Sequence, residues 1–461
     1  MKKLTVEEIR KAAAGELITG NDESIISGIE MDSRVIKAGD CFFALTGERS
    51  DGNDYALPAF ENGAVCAVMT DRKKAGELAE RFPDRAVILV DNAEEALLAL
   101  AKYYMQKFDI IKIAVTGSNG KTTTKDMIHA IMSVKYKTHK TPVNRNNLIG
   151  LPLTVLSLDE DAEAAVFEMG MDIAGEIHRM AEIVKPDIAV ITNVGVSHIE
   201  RLGSREDILA AKLEITDFLK EDDTLIIWDG GDVLTRKSAE GNYRLLSAGN
   251  DGRSDFIISD VVNKGEDGME FSLEYNGEME KFKLGVPGEH NVINASLAIA
   301  AASLAGVAKE EAKKGLLNLK AAEKRMNIRG AHGIKVIDDT YNASPPAVRA
   351  AIDVLISTKG VRKIAVLGDM LDLGPKSCDY HREVGKYAGE RGVEVLIGIG
   401  QMSRFTCEGA AEYLEKENVR HFDKKEDFLK IMSDIVKSGD VILVKGSRGM
   451  AMETVVKKIL E

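Results

Sequence analysis

Tryptophan occurs once in this chain, aromatic residues of all kinds make up 5%, and the 461 residues hold four cysteines and nine prolines. Cys41, Cys66, Cys378 and Cys407 lie far apart and form no CxxC pair, so neither a zinc framework nor a disulfide scaffold is expected, and the thiols read as reduced and structural. No run of about 18 apolar residues is present, which argues against a transmembrane helix. Met1-Lys-Lys-Leu-Thr-Val-Glu-Glu8 has acids where a signal peptide needs an apolar stretch, so a cytoplasmic protein is expected. The absence of any repeat with a period of roughly 20 to 50 residues sets solenoids and propellers aside. Positive charge is also in deficit. A net charge of −13 repels phosphate backbones, so broad nucleic-acid binding is excluded and any anionic substrate needs a local basic pocket. What remains, 44% hydrophobic and 29% charged, is the composition of a folded globular chain.

At roughly 150 residues per domain the length predicts about three domains. Residues 1–108 carry short apolar runs, Cys41–Leu45, Ala64–Met69 and Ala86–Val90, interleaved with helical patterns, which predicts a small α/β domain. From Ile110 strand and helix patterns alternate: Ile111–Val115, a helix from Lys121, Ala164–Phe167, a helix from Ile173, Asp187–Thr192, a helix from Arg205, and Thr224–Trp228. That order predicts a doubly wound parallel sheet over residues 109–322, with an antiparallel hairpin at 254–286 around the turn Asn276-Gly277. Residues 323–461 repeat the alternation at Ile334–Asp338, Lys363–Leu367, Val393–Ile399 and Val441–Val444, a second Rossmann-like unit. The fold class is α/β in three domains. A monomer is expected, since no exposed heptad or apolar patch can be read from the pattern.

Ala114-Val-Thr116-Gly117-Ser118-Asn119-Gly120-Lys121-Thr122-Thr123 is a strand that ends in a glycine loop and hands over to a helix, the context that binds phosphate. Lys121 supplies a point charge and Thr122 a hydroxyl suited to Mg²⁺. The loop is shorter than the Walker pattern, which would put its first glycine at position 115, where Val115 stands. Glu168 ends a buried strand, and Asn193 and His198 follow another, at the sheet edge where α/β folds bind ligands. Oxygen donors suit Mg²⁺ and imidazole suits it less, so taken alone His198 reads as structural. Taken alone, Lys212 reads as a solvated helix lysine.

Together, Gly117–Thr123, Asn144-Arg-Asn146-Asn147, Glu168-Met-Gly170, Asn193-Val-Gly-Val-Ser-His198 and Ala211-Lys-Leu-Glu214 resemble the central domain of the Mur ligases. The resemblance continues through Gly288-Glu-His-Asn291-Val-Ile-Asn294, Lys324-Arg325-Met326, Asp338-Asp339-Thr-Tyr341-Asn342-Ala-Ser344-Pro345, Asp369-Met-Leu-Asp372 and Lys445-Gly-Ser-Arg448. The last three are similar to the branch that adds D-alanyl-D-alanine, with Ser344 in place of the usual asparagine and Asp372 in place of the commoner glutamate. Asp32-Ser33-Arg34, Phe43–Gly47 (with Thr46) and Asp51–Asp54 resemble that family's uridine-nucleotide domain.

The resemblance implies ATP-dependent ligation of D-alanyl-D-alanine to UDP-MurNAc-tripeptide through an acyl phosphate, with ATP and two Mg²⁺ ions as cofactors. It implies catalytic roles for Lys121, Glu168, His198 and Lys212, the last carbamylated so that it can share a metal with Glu168 and His198, and Thr122 as a further metal ligand. ATP would be held by Thr116–Thr123, Asn291, Asn294, Arg325, Asp338 and Asp339; Asn291 and Asn294 could otherwise cap the helix that begins there. The nucleotide sugar would meet Ser33, Arg34, Thr46, Gly47, Asn144, Asn146 and Asn147, and the dipeptide Tyr341, Asn342 and Ser344. Three other readings stay open at this point: a different ligase of the same type, a nucleotide switch for which the phosphate loop would suffice, and a structural α/β protein whose glycines serve turns.

Overall fold

The strands Asp40–Phe43 and Cys66–Met69 are buried at every position, the signature of a parallel sheet covered on both faces. The computed structural model that shows this describes residues 1–47, 50–319 and 323–461. The chain forms two compact units: residues 1–116, 136–189 and 214–223 make the first, and residues 117–135, 190–213 and 224–461 the second.

In the first unit a five-stranded sheet has the order Glu16–Thr19, Ala86–Leu89, Cys66–Met69, Asp40–Phe43, Gly28–Glu30. The first pair is antiparallel and the others are parallel. Phe42, Phe60, Met69, Leu78 and Val87 fill its core. The three strands read from the sequence are there; the outer two, with few buried positions and no apolar run, gave no signal. Helix Ala93–Met105 starts where the Asn92 side chain accepts the N–H groups of Glu94 and Glu95. The same unit holds Ile111–Thr116 parallel to Ala164–Glu168, which is parallel in turn to Thr138–Lys140. The helix expected from Ile173 begins instead at Glu176, behind Gly175 at φ 90°.

In the second unit Thr224–Trp228 pairs in parallel with Arg244–Gly249, which pairs in parallel with Phe256–Asn263. Phe256–Asn263 then runs antiparallel to Met269–Tyr275, and that strand to Glu278–Leu284. The expected hairpin is therefore present, but it joins through a parallel neighbour, Arg244–Gly249, that the sequence did not reveal. Asn276 and Gly277 both take positive φ, 53° and 74°, as a two-residue type I′ turn requires.

A six-stranded sheet closes the chain in the order Asn327–Ala331, Ile334–Asp339, Asp440–Lys445, Arg362–Gly368, Val395–Ile399, Val419–Phe422. Only the first pair is antiparallel. Alternate residues feed two cores. Ile337, Leu367 and Leu443 pack under helices Pro345–Ser357 and Ser377–Glu390, while Val336, Val366 and Val444 pack under Lys425–Ile435 and Glu453–Leu460. This is the doubly wound arrangement read from the sequence. Among the described residues no helix is long and apolar enough to cross a membrane. The boundary expected at 322 lies outside the described residues.

Because Gly277 has open space around it, replacing it tests backbone conformation alone. Gly277→Ala should lower stability by about 1–2 kcal/mol, the cost of a left-handed L-residue. Urea denaturation with an unchanged midpoint would refute the type I′ assignment.

Candidate active site

The chain leaves Thr116 into a loop that only glycine can build at two points. Gly117 has φ 148°, and a Cβ there would come within 1.9 Å of the Thr192 hydroxyl; Gly120 has φ 82°, and its Cβ would meet Asn294 Oδ1 at 2.6 Å. Between them Asn119 is held through its backbone. Its N–H donates to Asn193 Oδ1 at 3.0 Å, and its carbonyl accepts from Thr192 Oγ1 at 2.5 Å and Asn193 Nδ2 at 3.0 Å. Ser118 Oγ accepts the Gly195 N–H at 2.8 Å. The segment Thr192–Gly195 thus forms one wall of the loop. Lys121 folds over it, donating to the Gly117 carbonyl at 2.7 Å. Helix Lys121–Met132 begins at once with no side-chain cap, so its first N–H groups keep the positive end of the helix dipole available to an anion.

Asn291 and Asn294 lie within helix Glu289–Leu304 rather than at its N-cap, which is Gly288. Asn291 Nδ2 donates to the Pro287 carbonyl at 2.7 Å and Asn291 Oδ1 accepts from Asn294 Nδ2 at 3.1 Å. The pair carries Asn294 onto Gly120, so the capping alternative gives way to support of the glycine loop.

Lys212 is not the solvated lysine that its sequence position suggests. It is 2% exposed, and among the described residues no hydrogen bond or ion pair reaches its amine. Burial, with the Lys121 charge adding to it, holds that amine well below the ordinary lysine range. His198 belongs to the same unit and takes the left-handed conformation, φ 64°, at the head of helix Ile199–Leu202. Glu168 belongs to the first unit, at the buried end of its strand; its Oε1 accepts from Asn146 Nδ2 at 2.8 Å and its N–H donates to Thr141 Oγ1 at 2.9 Å.

At the carboxyl edge of the C-terminal sheet, Asp339 and Lys445 are register partners on neighbouring strands and form a buried ion pair. Lys445 also donates to the Asn342 carbonyl at 2.8 Å, and Asp338 accepts from the Thr340 hydroxyl at 2.7 Å. Two side chains from this region reach the glycine loop and the start of its helix. Arg325 lies 3.9 Å above the Tyr341 ring and donates to Thr122 Oγ1 at 3.0 Å. Ser344 donates to Asn119 Oδ1 at 2.9 Å.

Three family models match in succession: Mur ligase family, catalytic domain, over residues 25–105; Mur ligase middle domain over 115–302; and Mur ligase, glutamate ligase domain over 324–448. The UDP-N-acetylmuramoyl-tripeptide–D-alanyl-D-alanine ligase of Bacillus subtilis is 41% identical, covering 100% of this chain and 99% of that protein. The chain belongs to the Mur ligase family. Its three-domain α/β fold is similar to that of a MurF crystal structure from Acinetobacter baumannii, with TM-score 0.91, 30% identity, and coverage of 100% of this chain and 99% of that one. A MurF ligase from Thermotoga maritima solved in complex with ADP matches with TM-score 0.81 at 29% identity, over 94% of this chain and 96% of that one.

As in sequence, the residues expected at the nucleotide sugar of this Mur ligase fall in two places within its first unit. Arg34 is exposed and pairs with Asp32 at 2.7 Å, Ser33 offers its carbonyl to Asn62 at 2.8 Å, and Thr46 and Gly47 are exposed beside Asp51, which Lys74 holds at 2.8 Å. Asn144 is exposed, Asn146 is bound to Glu168, and Asn147 Oδ1 accepts the Gly150 N–H at 2.8 Å, bracing the helix that starts there. Thr192 carries no signal in the sequence beyond its place before Asn193, and Lys445 none beyond its place in a motif. The loop geometry makes Gly120→Ala incompatible with the Asn294 contact, so calorimetry should find ADP affinity reduced about tenfold or more, the scale of one lost charge-assisted anion contact. Retained affinity would show that the loop tolerates a Cβ and is not the nucleotide site.

Proposed function

We propose that this Mur ligase joins D-alanyl-D-alanine to UDP-MurNAc-tripeptide at the expense of ATP, yielding UDP-MurNAc-pentapeptide, ADP and phosphate. The observation that carries this reading is the pair of contacts from the Arg325–Ser344 region to the phosphate loop, Arg325 to Thr122 and Ser344 to Asn119. A nucleotide switch needs the loop alone; a ligase needs the amine acceptor segment beside it. ATP supplies activation because amide formation from a free carboxylate is uphill in water. A tripeptide carboxylate oxygen attacks the γ-phosphorus and the bond to ADP breaks. The dipeptide amine, having lost its proton, then attacks the acyl carbon, and the C–O bond to phosphate breaks.

In this reading Lys121 and the loop and helix N–H groups neutralise the γ-phosphate as it transfers, a preorganised electrostatic role. Thr116–Thr123, Asn291, Asn294, Arg325, Asp338 and Asp339 surround the ATP. Tyr341, Asn342 and Ser344 form the segment that receives the dipeptide, and Ser33, Arg34, Thr46, Gly47, Asn144, Asn146 and Asn147 receive the nucleotide sugar.

The donor set fits two Mg²⁺ ions on one condition. Thr122 and Glu168 are hard oxygen donors and His198 an acceptable third, but a protonated Lys212 would repel a cation. The buried, depressed amine of Lys212 supports the remedy: neutral nitrogen adds CO₂, a C–N bond forms, a proton leaves to solvent, and a carbamate anion results. Mg²⁺, held by Thr122, Glu168, His198 and the Lys212 carbamate, would supply positive charge to the triphosphate and the acceptor carboxylate. The division of labour places domain boundaries near residues 108 and 322, in the intervals between the matched segments. The substrates are cytoplasmic metabolites, and the enzyme is assigned there as a monomer.

Phosphate release from ATP should require both tripeptide and dipeptide, and Lys212→Ala should reduce it about 100-fold or more, the scale of removing one preorganised electrostatic group. Short carboxylic acids should restore part of the loss by standing in for the carbamate. Release indifferent to either substrate would establish a nucleotide switch instead, and a fully active mutant would remove the carbamate from the mechanism.

A further inference from the structure

Ser344 stands at the N-cap of helix Pro345–Ser357, where a serine ordinarily turns its oxygen toward the first N–H groups of its own helix. Here no such bond forms. The next two residues, Pro345 and Pro346, have no N–H to offer, and the Ser344 hydroxyl, 5% exposed as a residue, donates instead to Asn119 Oδ1, 225 positions away in sequence. Asn119 is the one residue between the two loop glycines whose backbone N–H and carbonyl are both held by the Thr192–Asn193 wall. Its side chain is left to report to the C-terminal sheet. Three residues before Ser344, Tyr341 presents its ring face to Arg325, and Arg325 in turn binds Thr122 at the other end of the same loop.

We propose that Ser344 is a positioning residue for the phosphate loop: its hydroxyl aligns Asn119, and through it the loop, with the segment that receives the incoming amine. The inference rests on the nucleotide-binding part of the function proposed above. It assigns the Ser344 side chain to the nucleotide loop, while the segment around it still borders the dipeptide. Nucleotide affinity should then depend on Ser344 even when no dipeptide is present, which a direct dipeptide contact would not cause.

The test is calorimetric titration of ADP with Mg²⁺ into the full chain, without tripeptide or dipeptide. Loss of one neutral hydrogen bond should weaken ADP binding about threefold to tenfold in Ser344→Ala. Ser344→Asn keeps a donor and should return to within about twofold of wild type. In an Asn119→Ala background the same Ser344→Ala change should have little further effect, because its partner is already gone. Melting curves without ligand report whether each variant is folded, and Ser344→Asn keeps the question answerable if the alanine variant is not. Wild-type ADP affinity in Ser344→Ala overturns the proposal; a raised KM for D-alanyl-D-alanine with that unchanged affinity would move the hydroxyl to the dipeptide. Failure of the wild-type chain to bind ADP would instead overturn the nucleotide reading itself.

Discussion

The close approach of two backbone positions, Gly117 to Thr192 and Gly120 to Asn294, is the constraint on which the rest of the site depends. A phosphate loop offers N–H groups that must all face one anion, and it can do so only if its outward side is supported. Thr192 and Asn193 support one side through Asn119, and the Asn291–Asn294 pair supports the other. Any side chain at either glycine would push the loop off one support. The free rotation of glycine is a cost in the unfolded chain, and the hydrogen bonds to Asn119 offset it by ordering the loop before a ligand arrives.

Electrostatics add a second constraint. Desolvation and the Lys121 charge act in the same direction on Lys212, and both oppose a buried ammonium there. The amine is driven toward the neutral form, and a neutral amine is the only form that adds CO₂. The environment that disfavours Lys212 as a cation is therefore also the one that the proposed carbamate requires. The Asp339–Lys445 pair shows the contrast: there the buried ammonium has a carboxylate directly across the ladder and a carbonyl beside it, so its charge is compensated in place.

The glycine loop after Thr116 and most buried strands were legible because both write themselves locally: glycines beside Lys-Thr, and apolar runs between turn residues. The Asn276-Gly277 hairpin was legible for the same reason. Thr138–Lys140 and Val419–Phe422 were not, since these partly exposed strands carry His, Arg and Lys where a buried strand would carry Val or Ile, and Arg244–Gly249 was not, since its buried end finishes in Ser-Ala-Gly, which carries little strand signal. Lys212 was misread on local grounds because helical periodicity says which residues share a face but not what covers that face. The Ser344–Asn119 and Arg325–Thr122 bonds span 225 and 203 positions, and no local pattern encodes a partner at that distance.

Departures from the family pattern can be weighed by the backbone they sit on. Asp372, where glutamate is commoner, has φ 60°, a left-handed conformation that short side chains able to bond locally tolerate better than longer ones. The two residues before it are tied down: Met370 N–H donates to His381 Nε2 at 3.0 Å and Leu371 N–H to Ser447 Oγ at 2.9 Å. Burial keeps His381 neutral, with its pKa lowered, so that nitrogen stays an acceptor. With the backbone fixed by His381 and Ser447, shortening the side chain by one methylene suits the strained position and keeps the carboxylate. Ser344 follows the same logic from the other side: Pro346 removes one of the two N–H groups its oxygen could accept, and the shorter side chain keeps a donor that reaches Asn119. One replacement keeps a carboxylate and the other keeps a donor, and both change the reach, which is the kind of variation a site defined by hydrogen-bond geometry can absorb.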